Sequence, residues 1–332
     1  MPRQIIVFLC LAVGMLGGAA AARAATGPDL FHVRVPLADR TAAGRGAAFQ
    51  DAMKIVLVRV TGRRAAATDP SFAPLIAVAA RYVQEYRSAV EGQLWIGFDG
   101  AAIERWLAQN GQPVWGRARP STFVWLLVQG GPHAGTIVTG TDNSELKAAI
   151  DAQAEQRGIA LIWPSAAELQ SYRLDYSSAR IASADSLAAI ARRLGAAGVL
   201  IGRALNGTAT AGVSWNLLFQ HQVNAAVGTV EGVDIAADTY ASLFAATGGV
   251  LPVDIDVDGI RGVEDYARVQ GYLESLSLVA QVAVLGLTGD SVEFRLSSRG
   301  GAAPLERTLA LNGPLEPGAA GADGNPRFHL RP

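Results

Sequence analysis

The chain has 332 residues, 50% of them hydrophobic and only 17% charged, with 28 basic against 29 acidic side chains. That much apolar side chain excludes intrinsic disorder for most of the length, and the length itself implies two or three domains. The near-neutral balance does not mark a nucleic-acid binder. Only Lys54 and Lys147 are lysines and neither follows a glycine, so there is no phosphate-cradling Gly-Lys-Ser/Thr loop.

Residues 1–24 read as a signal peptide. Arg3 gives a positive start, Ile5 to Leu16 a short apolar run, and Ala22-Arg23-Ala24 a small-residue cleavage pattern. A run of about a dozen apolar residues falls short of the roughly 20 needed to span a bilayer. The expectation is export to the periplasm by a cleavable leader, with no integral membrane segment left after cleavage; a retained anchor is the alternative. Cys10, the single cysteine, lies in this leader. The mature chain is then expected to have no disulfide, thiol nucleophile or thiolate metal site.

Residues 25–118 read as a small α+β unit. Phe31 to Val35 alternates like a strand, with Asp39 and Thr41 as candidate caps for the helix that follows. Phe49, Met53, Val56 and Val60 make one helical stripe, and Gly62 ends it. A second helix is expected from Leu75 to Tyr86, a strand from Gln93 to Phe98, and a third helix capped by Asp99. Pro113 to Pro120 marks a boundary, expected to be packed because it carries Val114 and Trp115.

Residues 119–248 alternate strands with helices, the pattern of a mixed-sheet α/β domain. Phe123 to Val128 is continuously apolar, as in a strand buried on both faces. Strands are expected at Ala160–Trp163 and Gly198–Gly202, helices at 143–157 and 185–194. An antiparallel pair over Val213–Gln220 and Gln222–Val230 precedes a helix over Ile235–Ala246. Residues 249–312 read as a βαββ unit: strand Pro252–Val257, helix Val263–Leu276, and two strands joined by Thr288-Gly289-Asp290. Thr308 to Leu311 is expected to be a short further strand. Residues 313–332, rich in Gly, Pro and Ala, are expected to be a disordered tail.

Val58-Arg59-Val60-Thr61-Gly62, Tyr82-Val83-Gln84-Glu85-Tyr86-Arg87, Phe98-Asp99, Pro113-Val114-Trp115-Gly116, Arg119-Pro120 and Trp125 occur in that order. This set resembles domain-of-unknown-function family 2066, exported proteins of Gram-negative bacteria. The resemblance implies an envelope address and no activity. The middle segment, through Leu194-Gly195-Ala196-Ala197-Gly198-Val199-Leu200-Ile201-Gly202, is similar in pattern to TolB amino-terminal-like folds and to penicillin-binding-protein activator lipoproteins. That likeness is one of fold alone, and the chain lacks the activators' lipid-anchor cysteine.

No set of residues spells out a catalytic site, a metal site or a cofactor site. Ser144-Glu145-Leu146-Lys147 has the spacing of serine acyl-transferases, but its companion motifs are missing, and a helix cap explains it. His32, His133, His221 and His329 show no metal-ligand spacing. Glu85, Glu91, Asp99 and Glu104 could supply a carboxylate pair only if the fold made them converge. Asp254-Ile255-Asp256-Val257-Asp258-Gly259 opens like a calcium loop, yet its alternation with Val253, Ile255 and Val257 predicts a strand with an acidic face in water. Arg63, Arg64, Trp115 and His133 are the candidates for a partner or interdomain surface.

The reading of function is a non-catalytic periplasmic envelope protein, a binding or adaptor component with an envelope protein partner. The rival readings are a cell-wall hydrolase or transferase with an unrecognised carboxylate site, and a small-ligand sensor using the loops after Val128 and Trp163.

Overall fold

A computed structural model describes residues 28–331, apart from 90, 91, 131–133, 209, 221, 312 and 320–323. The leader with Cys10, and Glu91, His133 and His221, therefore lie outside the described residues. Three sheets follow one another along the chain, of three, six and five strands, none closed into a barrel.

The first sheet joins β1 (His32–Pro36), β2 (Val83–Ser88) and β3 (Gln93–Phe98) in the order β1-β3-β2, all antiparallel. Helix α1 (Ala42–Thr61) covers it. Thr41 caps the helix by accepting from the Gly44 amide, and Met53, Val56 and Val60 are wholly buried along one stripe. Gly62 ends the helix in the left-handed region at φ 72°, packed against Ala241 and Trp115, so both conformation and space demand glycine. The helix expected over residues 75–86 is instead α2 (Ala73–Ala77), one 3₁₀ turn, and then β2. Pairing of Val83–Ser88 with β3 claims that backbone, a tertiary choice that local propensity does not reveal. Helix α3 (Gly100–Gln109) starts at Asp99, whose carboxylate accepts from the Ala102 amide.

The second sheet is built on β4 (Thr122–Gln129), with β5 (Gly135–Ile137), β6 (Leu161–Ile162), β7 (Gly198–Ala204), β8 (Val213–Phe219) and β9 (Gln222–Val227). Its main order is β5-β4-β7-β8-β9, with β6 also pairing with β4. β4 runs parallel to β6 and β7, while β7-β8-β9 is an antiparallel meander. Alternate β4 residues enter two cores. Val124 and Leu126 face helices α4 (Glu145–Arg157) and α8 (Glu231–Phe244), and Phe123, Trp125 and Leu127 pack with Ala179, Leu187 and Ala191. The latter come from α6 (Tyr176–Arg180) and α7 (Ala184–Arg193), which follow the short α5 (Ala166–Ser171).

The third sheet has the order β11-β12-β10-β14-β13. The expected βαββ order is present as β10 (Val250–Asp258), α9 (Val263–Ser275), β11 (Val279–Thr288) and β12 (Ser291–Arg299). It is extended by helix α10 (Ala302–Leu309) and by β13 (Leu315–Pro317) and β14 (Arg327–Leu330). Thr308 thus belongs to a helix, with Leu305, Thr308 and Leu309 buried at helical spacing, and not to the expected strand. The expectation of a disordered tail also fails. Leu315, Phe328 and Leu330 are buried in the third core, and β14 lies parallel beside β10. Three well-placed apolar side chains outweigh the glycine and proline around them.

Candidate functional site

The residues around the first boundary converge. Trp115 is fully buried; its amide donates to the Val60 carbonyl, and Val114 forms an isolated bridge with Ala246. The Arg119 guanidinium stacks over the Trp115 ring at 3.9 Å and donates to the carbonyls of Gly116 (2.7 Å), Gly158 (2.8 Å), Arg59 (2.6 Å) and Trp115 (2.5 Å). Burial, with Arg59 close by, draws the Arg119 pKa well below the usual arginine value. Arg59, an arginine inside the apolar stripe of α1, donates to the carbonyls of Asp29, His32 and Glu155. Burial lowers its pKa too, opposed by Glu155.

Arg157 closes α4 and is 1% exposed. It donates to the Gly62 carbonyl and to Asp238, and its Nη1 lies 3.3 Å from Asp234. Arg64 reaches the same buried Asp234 at 2.9 Å, and Gln153 donates to it at 2.8 Å. Two of the four candidate residues therefore meet at one junction between the first and second sheets: Trp115 as a buried wedge and Arg64 as an ion-pair partner. Arg63 instead points to Asp69 on the surface. His133 lies outside the described residues.

Beside this junction a cavity of about 280 Å³ is lined by Lys54, Val58, Arg64, Gln153 and Arg157 among others. Its charges are already matched, because Lys54 pairs with Asp51 as Arg64 and Arg157 pair with the α8 aspartates. A second cavity of about 420 Å³ lies between the start of α9 and β14, with Arg261, Asp265, Arg268 and His329 on its walls.

The other candidates do not assemble. Ser144 is the cap of α4, accepting from the Lys147 amide, while the Lys147 ammonium is 2.7 Å from Asp151 and over Trp163. His32 stacks on Trp95 and pairs with Asp29. Asp99 is occupied as a helix cap, Glu85 lies exposed on β2, and Glu104 is held on α3. Burial raises the Glu104 pKa, opposed by Arg117, Arg299 and Arg119. Among the described residues no three His, Cys, Asp or Glu side chains are grouped to hold a metal. Asp254 to Asp258 lie in β10, an extended strand. The acids are not all in water, however: Asp254 is bound twice by Arg295 at 2.7 Å, and Asp256 is buried beside Arg327 of β14.

One surface stands out. β11, Val-Ala-Gln-Val-Ala-Val-Leu-Gly-Leu-Thr, has no charge in ten residues, forms one edge of the third sheet, and has no residue buried. Val284 is 45%, Leu285 42% and Leu287 68% exposed. Its pairing partner β12 is half buried, with Val292, Phe294 and Leu296 in the core. Since directly opposed residues share a face, Val282, Val284 and Leu287 lie on the core side of the sheet. Val279 and Val282 pack against the third core, and the apolar layer ends uncovered at Val284 and Leu287. Three other edges carry charge or proline: β1 has Arg34 and Pro36, β2 has Glu85 and Arg87, and β13 has Glu316 and Pro317, whereas β9, an edge of the second sheet, is uncharged but shorter than β11.

A family model for a domain of unknown function, DUF8605, matches residues 24–116. It spans the first sheet and ends beside Trp115. The resemblance to family 2066 is thereby corrected: the match is to a different uncharacterised domain. The short strings that carried the resemblance are explained by packing, since Arg59, Gly62, Trp115 and Arg119 all serve the junction. No curated protein matches the chain.

The absence of charge across β11 was legible in the sequence. That β11 is an edge was not, because strand order is set by the other four strands of its sheet.

Proposed function

We propose that the protein is an exported, non-catalytic binding component of an envelope complex, and that it engages its partner by adding a strand to the edge of β11. The observation that carries this reading is that edge: ten uncharged residues, none buried, continuing the apolar face of a sheet. Exposed apolar edges are normally blunted by charge, proline or a covering element. A free row of backbone amides and carbonyls flanked by Val284 and Leu287 suits β-augmentation, where main-chain bonds supply affinity and alternate side chains supply selectivity. The leader pattern of residues 1–24 supports export, and among the described residues no helix is long and apolar enough to cross a membrane.

The test is a photo-crosslinking amino acid at position 287 in the living cell, with position 81 on the first unit as control. A discrete adduct from position 287 alone, in the compartment released by osmotic shock, is the expected result. Adducts from both positions or from neither, or turnover of a cell-wall fragment by the purified protein, would overturn the reading.

A further inference from the structure

We infer that the strand added to β11 is β11 of a second copy, so that two chains share one continuous sheet across a two-fold axis. This rests on the reading of β11 as the binding edge. In an isologous contact a residue on the axis meets its own copy, so a charge there faces a like charge. β11 offers no such position, whereas in β2 an axis at Glu85 or at Arg87 would set like charges together. β9 is also uncharged, but it is only six residues long, and Asn224 at its centre reaches back to Thr239 of α8.

The geometry selects the register. An axis perpendicular to the sheet makes the strands antiparallel and opposes residues of the same face. The bulges in β11 fall between Val279 and Gln281 and between Val284 and Gly286, leaving 281–284 as the regular stretch. With Ala283 on the axis, Val282 of each copy meets Val284 of the other on the core side. Two alanines then meet on the open side, where the backbones can approach closely. Charge on the neighbouring strand favours the same orientation. On the open face of β12, Arg295 opposite Ala283 is matched by Asp254, which leaves Glu293 towards one end and Arg299 at the other, so an antiparallel second copy turns its basic end towards the first copy's acidic end.

Sedimentation of the purified full chain across the micromolar range tests this. The wild type is expected to be a dimer. Ala283→Lys and Ala283→Glu, each placing like charges at the axis, are expected to weaken association roughly tenfold or more. Mixed in equal amounts, these two variants are expected to form a heterodimer. Leu287→Lys, at an exposed position, gives a second disruption that does not touch the axis, and an unchanged circular dichroism spectrum with a cooperative thermal transition shows that each variant is folded. A monomeric wild type, a dimer indifferent to these charges, or a mixture that stays monomeric overturns the proposal. If the wild type is monomeric while position 287 still crosslinks to a different polypeptide in cells, self-pairing falls and the binding-edge reading survives; if position 287 gives no adduct either, both fall.

Discussion

Arg119 lies over Trp115, its guanidinium carbon 3.9 Å from the ring centre, and its three nitrogens reach four main-chain carbonyls within 2.8 Å on three separate stretches of chain. One side chain therefore holds the end of α1, the 115–116 loop and the end of α4 in register. The planar fork makes this possible: a lysine ammonium is a point charge and cannot reach all four acceptors.

Arg119→Ala leaves four carbonyls without their donor and removes the stack on Trp115. A loss of about 3–5 kcal/mol is expected, the scale for breaking a buried charged contact. Because the contact joins the first two sheets, urea unfolding should also lose its single transition, the first sheet melting before the second. Arg119→Lys should recover only part of the loss. A single cooperative transition in the alanine variant, at the wild-type midpoint, would contradict the role given to Arg119.

Glu104 carries a pH dependence of opposite sign to that of Asp254. Burial raises its pKa in the folded state, so its protonated form is the one that folding favours. Its contribution is most favourable below the unfolded carboxylate range and is lost as pH rises through its folded pKa. Glu104→Gln should therefore stabilise the protein at pH 7 and lose that advantage at pH 4. Asp254, whose pKa is lowered by the hydrogen bonds from Arg295, behaves the other way, its stabilisation disappearing as pH falls. Denaturation midpoints of wild type and Glu104→Gln across this range supply the check, and a pH-independent difference would be the wrong result.

Deleting residues 313–332 tests whether the C-terminal strands are structural. The deletion removes the buried side chains of Leu315, Phe328 and Leu330, together worth about 5–9 kcal/mol of apolar burial. That is comparable with the whole stability of a small domain, about 5–15 kcal/mol. The third unit should unfold in the truncated chain, becoming protease-sensitive between residues 250 and 312 while the middle sheet resists. A truncated chain as protease-resistant as the full one would return these residues to the status of a tail.

The sequence alone determined those features that rest on nearest neighbours. Asp99 caps its helix, and short polar side chains at 39–41 and 142–144 start two others, because such a side chain can satisfy an amide two or three residues on, although the structure alone chose Thr41 and Ser144 among them. The unbroken apolar run of β4 announced a strand covered on both faces, and the alternation from Val253 to Val257 announced an extended strand, not a calcium loop. What the tertiary structure decided rests on groups far apart in the chain. Val83–Ser88 became a strand because β3 offered it a ladder, and Asp256 was buried because Arg327, 71 residues away, came to lie beside it. Arg59 and Arg157, which composition alone would place in solvent, went inside because carbonyls and carboxylates from other elements converged on them. β11 was left at an edge for the same kind of reason: hydrogen-bond partners in a sheet are assigned by the whole set of strands, and no strand carries in its own residues the number of neighbours it will have.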